Sequence, residues 1–297
     1  MSGSGRLLHE LSTAELLAVL EAADDDALQA AHAAAAPTAR VVDAVVRCWP
    51  RGGRLIYVGA GTSGRIGALD AAECAPTFGV DEARVRAVIA GGARALTHAV
   101  EGAEDSEEAG REAIEELDVG AADVVVALSA SGATPFTCAA LEEAMRRGAT
   151  GAAITCSAGS RLAAAARIAV VVAVGREVID GSTRMKAGTA QKLVCNAIST
   201  AAFIRLGRVW GEHMVAVRTS SDKLRLRATA ILQKLADCDD EEAAGALLAE
   251  AGNDLPTALL MARSGVARPA AQRYLERAHG DVHRALALAL AGDGLAS

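Results

Sequence analysis

Residues 54–79 of the 297-residue chain, RLIYVGAGTSGRIGALDAAECAPTFG, constrain the fold more than any other stretch. An apolar, β-branched run at 55–58 reads as a buried strand. A glycine-rich turn follows, then a helix that opens near Ser63 and carries Glu73 near its far end. A strand that feeds a helix through a tight turn is the first half of a parallel β–α unit. Its geometry aims free backbone N–H groups and the positive end of the helix dipole at one point, which suits an anion.

The same pattern recurs downstream. Short apolar runs near 85–90, 124–128, 152–156 and 168–172 alternate with helical segments, so parallel pairing with right-handed crossovers and an α/β fold with a helix-covered sheet are expected. Ahead of them, Ser12 with Glu15 three residues on predicts a helix start. A second helix is expected from Asp26 to about Trp49, interrupted or adjusted near Pro37. A long helix is expected over 182–206, and the rest is helical. The C-terminal part repeats itself at an offset of 27: LLAEAGNDLPTALL from Leu247 matches YLERAHGDVHRAL from Tyr274, each unit reading as two short helices joined at Gly252 or Gly280. The division expected is an N-terminal helical segment (1–50), an α/β domain (51–210) and a C-terminal helical domain (211–297).

Composition removes several function classes. The net charge of −7 and an aromatic content of 2% disfavour phosphate-backbone and base-stacking surfaces, so no nucleic-acid partner is expected. The apolar runs are too short to span a bilayer. The six cysteines are scattered without a CxxC pair and the N-terminus lacks a secretory pattern, which together read as a cytoplasmic protein. Cys74 has no histidine near it in sequence and reads as a packed thiol. His279 and His283 imitate the spacing of HExxH, but Gly280 stands where the glutamate is needed, so no metal is expected there.

The chemistry-bearing residues fall after the strands, where parallel sheets bind ligands. Gly59-Ala-Gly61-Thr62-Ser63-Gly64 satisfies GxGxxG, but the next strand ends in Ala90-Gly91-Gly92 with no acid for a ribose, so a dinucleotide is disfavoured. Thr62, Ser63 and Gly64 suit a phosphate or a sugar hydroxyl better. Ser129, Ser131, Gly132 and Thr134, followed by Pro135 in a first helical turn, repeat the device. Ser182 and Thr183 form a third hydroxyl cluster, with Arg184 and Lys186 at a helix start, where cations oppose the helix dipole unless an anion is bound in front. Glu73 lies between an apolar helix and Cys74-Ala75-Pro76, where partial burial would raise its pKa toward the range of a general acid. Glu104 sits in an acidic run that otherwise reads as capping.

The segments GAGTSGRIGALDAAECAPTFGV, IAGG, AVEGAEDS, SASGATP and GSTRMKAGTAQKLVCNAIST together closely resemble the N-acetylmuramic acid 6-phosphate etherases, of the sugar isomerase (SIS) fold, in order from about residue 53 to 210. The resemblance implies cleavage of N-acetylmuramic acid 6-phosphate by water into N-acetylglucosamine 6-phosphate and D-lactate, without metal or redox cofactor. It implies Glu73 as acid and Glu104 as base, their roles exchangeable between elimination and hydration. Thr62, Ser63, Ser129, Ser131, Thr134, Ser182 and Thr183 would bind phosphate and sugar, with Arg184 or Lys186 supplying charge. It further implies a homodimer with the site between subunits. Two departures stand out: Ala133 occupies a position commonly held by Arg in the family, leaving orientation to Arg65, Arg184 or Lys186, and the family's N-terminal segment is replaced by residues 1–10. The alternatives are a non-catalytic sugar-phosphate sensor resembling the glucokinase regulatory protein, and a sugar-phosphate isomerase.

Overall fold

The computed structural model describes residues 6–216, 221–236, 238 and 240–292. The chain divides into two units: one holds the residues up to Ala71 together with Ala83–Ser199, the other Ala72–Glu82 and the residues from Thr200 onward.

The first unit is built on five parallel strands, β1 (Leu55–Gly59), β2 (Val85–Ile89), β3 (Val124–Leu128), β4 (Thr150–Thr155) and β5 (Ile168–Val171), in the spatial order β2-β1-β3-β4-β5. All five lie where the apolar runs predict them. β1 and β3 are buried along their whole length, as expected of central strands covered on both faces. Ile56, Val58, Val125, Ala127 and Ala153 share a core with Ile114 of α4 (Glu107–Glu116) and with Phe136, Cys138 and Leu141 of α5 (Pro135–Arg146). Tyr57 points the other way, against α3 (Gly61–Phe78): a Cβ on Gly67 would stand 2.8 Å from the Tyr57 Cβ. At the sheet's entry edge Arg54 donates to Asp123 through its backbone N–H (2.9 Å), Nε (3.1 Å) and Nη2 (2.7 Å), tying together the starts of β1 and β3.

Ahead of the sheet, α1 (Thr13–Ala33) opens on the expected capping box, with Ser12 N–H donating to Glu15 Oε2 at 2.7 Å. The next boundary differs from expectation. α1 runs straight through Asp26, the break falls at Ala34, and Pro37 sits in the first turn of α2 (Ala35–Cys48). A first-turn residue has no intrahelical partner for its N–H, so proline is at no disadvantage there. The short α6 (Arg161–Ala165) precedes β5, and α7 (Lys186–Arg205) closes the series, starting four residues later than expected.

In the second unit, Gly79 ends α3 with a positive φ of 61°, and a Cβ there would overlap the Ala216 carbonyl oxygen. Pro76 lies inside α3. A small antiparallel ribbon, β6 (Val209–Trp210) with β7 (His213–Met214), precedes α8 (Asp222–Leu235). The sequence repeat then appears as two helix pairs: α9 (Glu241–Glu250) with α10 (Leu255–Ser264), and α11 (Arg268–Arg277) with α12 (Val282–Leu290). Asp254 caps α10 by accepting from Thr257 N–H, and Asp281 caps α12 by accepting from Arg284 N–H, each at 3.0 Å. Leu255, Ala258 and Leu259 of one pair pack with Val282 and Ala285 of the other in a single core.

Candidate functional site

The β1–β3 pairing brings two of the hydroxyl-rich loops side by side. Gly59 is in register with Leu128, so residues 59–65 and 129–135 leave the same edge of the sheet next to one another. The glycines of the first loop serve close packing: a Cβ on Gly64 would stand 2.6 Å from Ile89 Cγ1 and 2.8 Å from the Gly59 carbonyl oxygen. Gly64 therefore lets α3 start hard against the end of β1, and Thr62 and Ser63 are left half-buried at the helix start.

The second loop is a small hydroxyl network. Buried Ser129 lies 2.9 Å from Thr134 Oγ1 and 3.4 Å from Ser131 Oγ, and its Oγ accepts from Gly132 N–H at 3.0 Å. Ser131 is exposed and accepts from Ala133 N–H at 3.2 Å. Gly132 has φ 67°, and a Cβ would meet Ser160 Oγ at 2.2 Å. Pro135 occupies the first turn of α5 as expected, and Thr134, the N-cap residue, makes no side-chain cap because its hydroxyl turns to Ser129.

The third segment reaches the first through α7. A Cβ on Gly188 would stand 3.5 Å from Thr62 Cγ2, and Ser63 donates to Gln191 Oε1 at 2.9 Å. Its cations are arranged differently from expectation. The N-terminus of α7 is already occupied by an internal anion: the Glu177 carboxylate accepts from the N–H groups of Lys186 and Ala187, both at 3.0 Å. This removes the dipole conflict that an external anion was expected to relieve. Lys186 is buried and its ammonium pairs with Asp26 at 2.8 Å, so its charge is already met within the chain. Arg65 is likewise engaged, donating to the carbonyls of Ala95 (2.9 Å), Leu96 (3.2 Å) and His98 (2.9 Å). Arg184 is exposed and makes no ion pair among the described residues; Ser182 is half-buried and Thr183 exposed beside it.

Both carboxylates are exposed. Glu73 stands on the later part of α3, and Glu104 in a single 3₁₀ turn (Ala103–Asp105) ahead of α4. The partial burial expected of Glu73 is not found: Cys74 and Ala75 take the buried positions and leave it facing outward. Four of the thiols are poor nucleophiles. Burial pushes Cys48 and Cys156 up to about 11, and raises Cys138 and Cys195 as well. None of the six cysteines is joined in a disulfide. His283 is spent on structure, stacking on Trp210 and lying 2.9 Å from the Val209 carbonyl.

Sequence reasoning passed over four residues here. Asp70 is buried and accepts from Tyr57 (2.7 Å), Asn196 (2.7 Å) and Ser199 (3.0 Å), joining β1, α3 and α7 behind the loops. Gln191, Glu177 and Asp26 act through the partners described above. Asp70 carried one signal, an acid inside an otherwise apolar helical stretch; the neutral Gln191 carried none.

Two family profiles match the chain: "Glucokinase regulatory protein N-terminal SIS domain" over residues 37–145 and "SIS domain" over residues 92–201. The chain is 42% identical to N-acetylmuramic acid 6-phosphate etherase 1 of Bacillus licheniformis over 95% of its own length and 92% of that protein's. It is 46% identical to N-acetylmuramic acid 6-phosphate etherase of Streptomyces avermitilis over 95% of its length and 90% of the relative's. Among solved structures it is similar to a phosphoheptose isomerase from Francisella tularensis, at 19% identity over 64% of this chain and 99% of that one, with a TM-score of 0.48.

Proposed function

The chain belongs to the N-acetylmuramic acid 6-phosphate etherases, and from that premise we propose how its residues carry the reaction. It is a carbon–oxygen lyase of the SIS fold that cleaves the D-lactyl ether of N-acetylmuramic acid 6-phosphate, giving N-acetylglucosamine 6-phosphate and D-lactate in the recycling of cell-wall amino sugar. Its ligand is a small sugar phosphate.

Thr62 and Ser63 from the first loop, and Ser129, Ser131 and Thr134 from the second, hold the phosphate and sugar oxygens. The observation that carries this is the pairing of Gly59 with Leu128, which puts the two hydroxyl loops at one edge of the sheet. The first turn of α5, which has no side-chain cap, supplies N–H groups to an anion there. Arg184 supplies the positive charge, and Ser182 and Thr183 complete the wall. Gly64 and Gly132 contribute by packing, which lets the hydroxyls beside them come close.

With the sugar ring open, the C1 carbonyl acidifies the C2 proton. Glu104 removes it; the electron pair forms the C2–C3 double bond as the C3–oxygen bond breaks, and Glu73 gives its proton to the departing ether oxygen of lactate. Water then adds at C3 of the unsaturated aldehyde with the two carboxyl groups in exchanged roles, and a proton returns to C2. Glu73 is exposed in the single chain, so its desolvation falls to the second subunit of a homodimer whose site lies at the interface. The enzyme works in the cytoplasm; among the described residues no helix is long and apolar enough to cross a membrane.

Incubation with N-acetylmuramic acid 6-phosphate and an assay of free D-lactate test the reading. Lactate release is expected. Tight sugar-phosphate binding without lactate would instead favour a sensor of the kind suggested by the profile match over residues 37–145, and aldose–ketose conversion would favour an isomerase.

A further inference from the structure

Gln191 is 1% exposed, and the two ends of its amide are in opposite situations. Its Oε1 accepts the Ser63 hydroxyl at 2.9 Å, whereas its Nε2 is buried with no partner. A serine hydroxyl has one proton, and in this arrangement Gln191 takes it. Ser63 can then offer an incoming anion only lone pairs, which repel it.

Rotating the amide half a turn about its last bond keeps the Ser63 contact but reverses its sense. Nε2 then donates to Ser63 Oγ, and the hydroxyl proton is free to turn toward the loops at the ends of β1 and β3. The rotation also exchanges an orphaned amino group for an orphaned carbonyl oxygen, the less costly of the two to leave unpaired. We propose that Gln191 is a positioning residue: in the substrate-bound enzyme its amide donates to Ser63, and Ser63 gives its proton to an oxygen of the sugar phosphate. This rests on the reading that the first hydroxyl loop holds the substrate. A side chain at 191 that can only accept would lock the Ser63 proton away from the ligand and set a negative charge behind it.

The test is Gln191→Glu, assayed by D-lactate release between pH 5 and 9 beside the wild type. At the alkaline end KM is expected to rise roughly tenfold or more, with kcat within about threefold, because a charge-assisted hydrogen bond to the ligand is lost. The KM should return toward the wild-type value as the pH falls and the new carboxyl gains a proton to donate. A merely structural role would produce a loss that does not follow pH in this way. In a Ser63→Ala background the same substitution should change KM little, since the group it acts through is gone. If the Glu variant does not fold, Gln191→Met, neutral and of similar length, takes its place, and a KM rise of roughly threefold or more at unchanged kcat is expected, again absent in the Ser63→Ala background. A Gln191→Glu KM that parallels the wild type at every pH, or an effect undiminished in Ser63→Ala, would overturn the proposal. Calorimetry with N-acetylglucosamine 6-phosphate separates this from the site reading. A wild-type protein that binds it without releasing lactate leaves Kd to replace KM in the same comparison; one that does neither removes the site reading and this proposal together.

Discussion

The Lys186 ammonium lies 2.8 Å from the Asp26 carboxylate, and the residue is 6% exposed although it stands in a segment whose cations invite a phosphate-binding role. The pair fastens the first turn of α7 to α1, and Arg65 is spent on backbone carbonyls; in the proposed reading the charge that meets the substrate is therefore Arg184. Asp26→Ala should therefore lower stability by about 1–2 kcal/mol, reduced from the cost of a fully buried pair because the Asp26 side chain is 63% exposed, and should leave KM near the wild-type value. Arg184→Ala should do the reverse, raising KM roughly tenfold with little effect on thermal unfolding. Steady-state D-lactate release and a melting curve on both variants check the contrast.

Glu73→Gln and Glu104→Gln are each expected to lower kcat by about a hundredfold or more, the usual cost of losing a general acid or base. Both side chains are exposed in the single chain, so both variants should fold and melt like the wild type. Near-normal turnover in either would remove that residue from the scheme.

Asp123 gives the fold a pH dependence with a structural cause. Burial alone would raise its pKa, but the hydrogen bonds from Arg54 and from Gly120 N–H together outweigh burial and hold it below the usual value. A carboxylate depressed in the folded state stabilises above its unfolded pKa of about 3.9, and that contribution is lost as the pH falls below it toward the folded pKa. Asp123→Ala should cost about 2–3 kcal/mol at pH 7, leaving Arg54 without its partner, and should flatten the fall in stability below about pH 4. Urea titrations from pH 3 to 7 measure both effects.

Gly64→Ala tests the packing account of the first loop. The added carbon would stand 2.8 Å from the Gly59 carbonyl oxygen, a backbone atom with no rotamer to escape into. A destabilisation of about 1–3 kcal/mol is expected, together with a raised KM as Thr62 and Ser63 shift with the helix start. A variant with wild-type melting and KM would show that the turn has room.

Much of the architecture was legible from local pattern. The β1 and β3 runs are apolar at every position, which only a strand buried on both faces tolerates, and the Ser12–Glu15 box and Pro135 mark helix starts through bonds made within one turn. The hydroxyl loops were legible for the same reason, since parallel strands all deliver their succeeding loops to one edge of the sheet. The start of α7 was missed because its cap, Glu177, comes from nine residues upstream and from outside the helix. The interruption expected near Pro37 falls close by, at Ala34, but the helix start expected at Asp26 is absent because α1 runs on through that residue.

Sequence by itself determined the kinds and order of the elements, the parallel sheet and the hydroxyl loops at its edge, because periodicity, turn chemistry and capping act over a few residues. Only the tertiary structure decided which cations are already paired within the chain. Lys186 and Arg65 look as available as Arg184 along the chain. Their partners, Asp26 and the carbonyls of residues 95–98, lie far away in sequence, and the balance of burial against pairing that consumes a charge is struck only when the chain brings those groups together. Glu73 shows the converse: its neighbours in sequence suggested a sheltered acid, and the face of α3 it occupies leaves it open to solvent.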